Sequence, residues 1–372
     1  MKYLFILGRN PELSEAELKY YFNPKIESKD KEILILETDK LPNIDELGGT
    51  IKIAKIISET KDLEEMEKNI LSTELFAYSS NKPFFYITDY NPYYFEDIEN
   101  IIKYYFKKNK FKAIYKKPKS KLKKTSPTEL IKNNFPDNCT ELIVYKHFIA
   151  KTIQVTNPFL LEQRDELRPC PDFLQSISLR LAKILINLTG IKQNQVLLDP
   201  FCGTGTLLQE ALLRNINVIG IDKEKTMINK AERNLKWLKK NYKINNYHKL
   251  YTSLCKELST FIPQNSIDAV ATEPFMGPYF ANYQKEEIII KTINYLTQIY
   301  QSLFLELEKI LKKDKRCVMI FPIFISNTNK KYYLDLRKIL TKKFKIIDSI
   351  PYYKPGKMIL LREVKLIEKI KL

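Results

Sequence analysis

The stretch Val196-Leu-Leu-Asp-Pro-Phe-Cys-Gly-Thr-Gly-Thr-Leu-Leu-Gln-Glu210 constrains the fold of this chain more than any other. A short apolar run that reads as a buried strand enters a turn through Gly203 and Gly205, and an apolar helix follows. Glycine permits positive φ and lets the backbone come close to a ligand, while amides at the start of a helix suit a bound carboxylate. The next strand closes in Gly220-Ile-Asp222, about 20 residues on, where a carboxylate can accept hydrogen bonds from two ribose hydroxyls. Together these parts describe a nucleoside-cofactor pocket built from Asp199, Pro200, Phe201, Cys202, Gly203, Thr204, Gly205, Thr206, Asp222 and Lys223. The alternative is a purely structural turn, since a GxG pair alone is common. A dinucleotide site begins the same way, but its third glycine is missing here and Leu208 follows the pair.

From Ser176 onward, longer helices alternate with short β-branched strands, the pattern of βα units around a mainly parallel sheet. Strands are predicted at Val196–Asp199, Val218–Asp222, Ala269–Thr272, Cys317–Phe321, Phe344–Ile350 and Met358–Arg362, with a hairpin-like turn between the last two. Residues 1–55 read as a small α/β module: strand Tyr3–Leu7, helix Glu15–Phe22, strand Glu32–Glu37, a helix, then strand Ile51–Ile57. A second segment, Asp62 to Thr156, opens with a helix and has a strand at Phe84–Thr88 and a helix at Phe95–Phe106. Strands Leu142–Tyr145 and Phe148–Val155 close it. Residues Gln163 to Pro171, charged and proline-punctuated, mark a junction within a linker at 156–175. This stretch reads equally well as a cover for the cofactor pocket and as a plain linker.

A chain of 372 residues suits two or three domains, and 44% apolar with 28% charged residues is the composition of a folded protein. No apolar run reaches the roughly 18 residues that cross a bilayer, and the opening residues turn polar too soon for a signal peptide, so a cytoplasmic protein is expected. Cys139, Cys170, Cys202, Cys255 and Cys317 lie far apart, with only His147 and His248 to assist, which predicts reduced thiols and no metal site. The formal charge of +18 calls for a polyanionic partner. An AT-rich genome would also enrich lysine, so position matters more than number. Lys103 to Lys124 carries eleven lysines and no acid, with Tyr104, Tyr105, Phe106, Phe111 and Tyr115 interleaved. Lys107, Lys108, Lys110, Lys112, Lys116, Lys117, Lys119 and Lys121 are the expected phosphate contacts, with the aromatics stacking on unpaired bases. The competing reading makes those rings the buried side of a helix and strand whose wet side is lysine.

A second chemical signal is Asp268-Ala-Val-Ala-Thr-Glu-Pro-Phe-Met-Gly-Pro278, a buried strand followed by acid, proline, aromatic and glycine. It resembles the Asp-Pro-Pro-Tyr loop of amino-group methyltransferases. A conjugated exocyclic amine is a poor nucleophile, so such a loop holds it with carboxylate and carbonyl acceptors while an aromatic stacks on a flipped-out base. Glu273, Pro274, Phe275 and Met276 are the candidate catalytic residues, with Phe275 where a second proline is expected and Met276 where the aromatic is expected.

At this point the chain resembles the THUMP-domain tRNA guanine-N2 methyltransferases, especially the archaeal enzyme acting on guanosine 10 and its eukaryotic relative. The resemblance rests on residues 7–18, the Lys-rich segment, Arg-Asp-Glu-Leu-Arg-Pro at 164–169 and Asp-Pro-Phe-Cys-Gly-Thr-Gly-Thr at 199–206. It implies an α/β fold: a ferredoxin-like N-terminal domain at 1–55, a THUMP RNA-binding domain at 56–155, and a Rossmann-like class I methyltransferase domain at 176–372. It also implies S-adenosyl-L-methionine at Asp199, Gly203, Gly205 and Asp222, and a target amine at Glu273 and Pro274. Where the family usually has an acid near the adenine, this chain has Tyr251-Thr-Ser-Leu-Cys255, which leaves Ser253 as the candidate. The implied partner is tRNA, with no membrane. The eukaryotic relatives work with a small zinc-binding partner protein and archaeal ones can act alone, so an activating partner stays open. Two other readings also stay open: methylation of a different RNA or of DNA amino groups, and a non-catalytic tRNA-binding protein with a degenerate loop. The absence of a helix-turn-helix or zinc signature argues against DNA.

Overall fold

The computed structural model describes residues 1–22, 24–72, 83–92, 95–108, 112–120, 124–172, 177–352 and 360–371. Its elements run β1 (Lys2–Leu7), α1 (Pro11–Phe22), β2 (Lys25–Lys29), β3 (Ile33–Glu37), β4 (Thr50–Glu59), α2 (Leu63–Ser72), β5 (Phe84–Pro92), α3 (Phe95–Lys108), β6 (Ile114–Tyr115), α4 (Pro127–Lys132), β7 (Cys139–Lys146), β8 (Phe148–Val155) and α5 (Pro158–Leu167). They continue α6 (Leu179–Thr189), β9 (Val196–Asp199), α7 (Thr206–Leu212), β10 (Asn217–Asp222), α8 (Lys225–Tyr242), β11 (His248–Thr252), β12 (Ala269–Thr272), α9 (Glu286–Ile310), β13 (Arg316–Ile325), β14 (Lys331–Tyr332), α10 (Leu336–Ile339), β15 (Phe344–Tyr352) and β16 (Leu360–Lys369). The chain divides into two compact units, one of Met1–Pro11 with Pro24–Gln163, the other of Glu12–Asn23 with Arg164–Leu372.

The first unit is one eight-stranded sheet in the order β2-β3-β1-β4-β8-β7-β5-β6. Strand β4 pairs with β1 on one side and β8 on the other, so the junction expected after residue 55 falls inside a continuous strand. The consecutive residues Lys52 to Lys55 of β4 have partners on both edges, which leaves no free edge there at which the sheet would divide. The helix expected between β3 and β4 is a single 3-10 turn at Ile44–Glu46, capped by Asn43. At the centre of this sheet the fully buried Lys52 donates from Nζ to Glu141 Oε1 at 2.6 Å and to the Thr125 carbonyl at 2.6 Å. Thr88 and Thr152 donate to the same carboxylate, at 2.5 and 2.6 Å. A buried charge of either sign is tolerable only with such complete pairing.

The second unit has the sheet order β11-β10-β9-β12-β13-β16-β15. Strands β9 to β13 run parallel in this sheet, and β16 lies antiparallel between β13 and β15. Both faces are covered, as parallel strands require. Leu197, Val218, Ala269 and Val318 point to one apolar cluster with α6, α7 and α8, while Leu198, Ile219, Val270 and Met319 point to another with α9. Leu13 and Ala16 of α1 belong to the first cluster, Glu17 accepts from Asn187 Nδ2 at 2.6 Å, and Tyr20 donates to Asp348 at 2.9 Å. A helix whose sequence position suggested the N-terminal module is therefore part of this unit. The stretch expected as linker from 156 to 175 carries helix α5.

Candidate functional site

Chain direction in the second sheet reverses beside β9: the chain moves outward to β10 and β11, then returns to β12 and β13 on the other side. Such a switch opens a crevice at the carboxyl ends of the strands. A cleft of about 1250 Å³ lies there, lined by Asp199, Gly203, Asp222, Ser253, Glu273 and Phe275 among others. It exceeds the roughly 300–1,000 Å³ of a pocket for one small molecule. Residues from separate parts of the sequence meet in it because each lies at, or just past, the end of a neighbouring strand.

The first wall is the glycine turn. Gly203 has φ +51 and Gly205 φ +82; a Cβ at Gly203 would enter open space, whereas one at Gly205 would lie 3.3 Å from Ala231 Cβ. The turn is tied to β10, since Gly203 N–H donates to Asp222 Oδ2 at 3.0 Å while Glu224 N–H donates to Oδ1 at 2.9 Å. Both donors aim the Asp222 carboxylate across the cleft end of its strand. Lys223 is exposed beside it. At the end of β11, Ser253 N–H donates to the Asp222 carbonyl at 3.0 Å, and its hydroxyl donates to Glu257 Oε2 at 3.0 Å.

Asp199 is buried below this turn. Its Oδ1 accepts from Thr272 Oγ1 at 2.7 Å and from Phe201 N–H at 3.1 Å, joining the ends of β9 and β12. Burial, offset in part by those hydrogen bonds and reinforced by the charges of Asp222 and Glu273, pushes its carboxyl up to about 7. Cys202 is buried too, and burial raises its thiol. Thr204 and Thr206 are buried beneath the turn.

Sequence reasoning missed the supports of that turn. Arg168 is buried and donates to Thr206 Oγ1 at 2.8 Å, and Asn234 Nδ2 donates to the carbonyls of Cys170 at 3.1 Å and Thr204 at 3.0 Å. Arg164 pairs with the buried Glu210. Thus the charged stretch from Arg164 onward, which the sequence offers equally as a cover for the pocket and as a linker, is anchored under the turn. Asp172 reaches the cleft wall.

The opposite wall is the loop after β12. Glu273 Oε1 lies 3.0 Å from Arg362 Nη1 on β16, off the hydrogen-bond direction, with both side chains less than one-fifth exposed. Pro274 is buried, and Phe275 is 42% exposed. Met276 packs in part against the first apolar cluster and also lines the cleft beside Phe275. The expected lysines lie in the first unit. Lys107, Lys108, Lys112, Lys117 and Lys119 are exposed, and Lys116 is half-buried over the Phe84 ring at 3.6 Å. Lys110, Lys121 and Phe111 lie outside the described residues. Phe106 is buried and Tyr115 stacks on Phe85 at 4.9 Å, so these aromatics are core, and Tyr104 alone of the described rings in this run is exposed.

Two family models match: one described as an RMKL-like methyltransferase domain over residues 172–332, the other as a DNA methylase over residues 36–233. The chain is similar to the tRNA (guanine(10)-N2)-dimethyltransferase of Methanothermobacter thermautotrophicus, 26% identical over 196 residues, 52% of this chain and 50% of the relative. It is 30% identical over 182 residues to the enzyme of that name from Methanocaldococcus jannaschii, 46% of this chain and 49% of the relative. The chain thus spans about half the length of these curated relatives. Among solved structures, TrmN from Thermus thermophilus superposes with a TM-score of 0.53 at 14% identity, covering 100% of both chains. A protein of Clostridium difficile 630 described as a possible methylase gives 0.51 at 15%, covering 100% of this chain and 99% of its own. At these identities the likeness is one of fold.

Proposed function

Because this chain belongs to the methyltransferase family that the DNA methylase model describes, we propose that it transfers a methyl group from S-adenosyl-L-methionine to an exocyclic amine on a base of structured RNA, guanosine 10 or another guanine of tRNA. The observation that carries the reading is the meeting, in one cleft, of the Gly203–Gly205 turn, the Asp222 carboxylate and the Glu273-Pro274-Phe275 loop.

The cleft fits the cofactor. Gly203 leaves open space where a side chain would stand, and Asp222 is aimed where a ribose would lie. Asp199, Asp222 and Glu273 lie close enough for two of them to raise the third, an anionic setting for a sulfonium. Bound there, S-adenosyl-L-methionine supplies an electrophilic methyl group. The chain supplies position: Asp222 takes the ribose hydroxyls, Ser253 stands at the adenine side, and Asp199 braces the turn. Glu273 and the Pro274 carbonyl accept from the amine, holding its lone pair toward the methyl, and Phe275 faces the base. The volume suits a cofactor and a nucleoside together.

Residues 56–155, read as a THUMP-type segment, hold the RNA through Lys107, Lys108, Lys112, Lys117 and Lys119. The names of the archaeal relatives support tRNA as partner. The description of the DNA methylase model supports a second reading, transfer to amino groups of DNA.

The test is incubation of the purified chain with labelled S-adenosyl-L-methionine and either unmodified total tRNA or duplex DNA, followed by nucleoside mass spectrometry. N2-methylguanosine from tRNA, abolished in Glu273→Ala, is the expected result. Methylation of DNA alone would favour the second reading, and binding of cofactor and tRNA without turnover would leave a non-catalytic binder or a missing activating protein.

A further inference from the structure

The loop after β12 has Met276 where its family pattern has an aromatic, so the cleft lining holds a thioether at that position, packed in part against the core. Phe275 faces the cleft with 42% of its surface exposed, and a second ring stands beside it. Tyr295, in the first half of α9, lines the same cleft and is 54% exposed. The two ring centroids are 6.4 Å apart with planes at 82°.

The backbones that carry these rings are fixed to one another. The buried Tyr300, one and a half turns further along α9, donates from its hydroxyl to the Phe275 carbonyl at 2.8 Å. Gly277 has φ +96, and a Cβ there would lie 2.8 Å from Thr292 Cγ2, so only glycine lets the loop come this close to the helix. Two rings left half-exposed at such a rigid junction contribute less to the core than buried ones would. Their remaining faces are available to a flat partner.

The geometry points to Tyr295 as the second aromatic wall of the base pocket, a ring supplied from another element where position 276 carries methionine. An unpaired purine or pyrimidine stacked on one ring presents its edge to the other, and Glu273, less exposed than either ring, lies in the same cleft to accept from the amine. Lys223, with Nζ 6.0 Å from the Phe275 centroid, is an exposed and weakly held neighbour that yields to such a ring. This assignment rests on the reading of the cleft as a methyl-transfer site for a nucleic-acid base.

Tyr295→Ala and Tyr295→Phe in the full chain test it, with unmodified total tRNA as substrate. Loss of one base-stacking contact lowers kcat/KM about 10- to 100-fold in Tyr295→Ala, whereas Tyr295→Phe, which keeps the ring, stays near wild type. Melting temperatures of both variants match the wild type if the loss is one of substrate contact. In parallel, ultraviolet crosslinking of the bound tRNA and peptide mapping should find a nucleotide on the peptide holding Tyr295. Wild-type turnover in Tyr295→Ala, or crosslinks confined to other peptides, would overturn the assignment while leaving the methyltransferase reading intact. A crosslink at Tyr295 in a wild-type protein that methylates nothing would do the reverse: the catalytic reading fails and the aromatic corner stands as an RNA contact. If no RNA binds, both fall.

Discussion

At the scale of single residues, Asp199 shows how little a motif says about the job of each of its members. The sequence marks it as cofactor-binding, yet in the fold its Oδ1 is occupied by Thr272 and Phe201 and its carboxyl is raised to about 7 by burial. A carboxyl whose folded value lies above its unfolded value contributes stability below the unfolded value and loses it as pH rises toward the folded one. Wild type should therefore lose stability between about pH 4 and pH 7 relative to Asp199→Asn, which keeps an Oδ1 acceptor for both donors. The variant gains on the order of 4 kcal/mol by pH 7 and no more above it. Urea unfolding of both proteins across that range measures the difference, and a gap that does not widen with pH would contradict the raised carboxyl. The same residue predicts a ligand effect. A cationic cofactor favours ionised Asp199, so S-adenosyl-L-methionine affinity, followed by calorimetry, should rise through pH 7 in the wild type and lose that rise in Asp199→Asn.

At the scale of elements, two placements depend on long-range packing. Helix α1, read from the sequence as Glu15–Phe22, begins at Pro11, and nothing local says that Leu13 belongs to the cluster of α6 and α7. Leu13→Ala should cost about 2–5 kcal/mol, the range for a fully buried leucine. The loss is expected in the calorimetric transition that S-adenosyl-L-methionine shifts, because α1 is built into the unit that holds the cleft; loss in a transition the cofactor leaves alone would count against this. In the first unit, Lys52 lies in the strand read from the sequence at Ile51–Ile57, and the sheet encloses it with Glu141. Lys52→Met strands a buried carboxylate and should cost about 3–5 kcal/mol, with Lys52→Met combined with Glu141→Gln recovering part of it. A double-variant loss equal to the sum of the losses in Lys52→Met and Glu141→Gln alone would show that the pair is not coupled.

At the scale of the whole molecule, the +18 charge and the exposed lysines of residues 107–119 carry the expected affinity for RNA. Changing Lys107, Lys117 and Lys119 together to Gln should reduce the slope of log affinity against log salt by up to about 3 and weaken binding alike across RNA sequences. Filter binding over a salt series reads this, and an unchanged slope would move the phosphate contacts elsewhere. The sequence carries enough local signal for the glycine turn, Asp222 and the strand ends that bear Asp199 and Thr272, because a strand, a tight turn and a helix are local structures. Strands β9 and β12 fall at the residues read from the sequence. It also determined that Glu273 follows such a strand. Long-range packing alone sets β4 through the expected junction, Arg168 and Asn234 under the turn, Arg362 against Glu273, and Tyr295 beside Phe275. Those contacts join residues well separated along the chain, where register and burial, rather than periodicity or propensity, choose the partner.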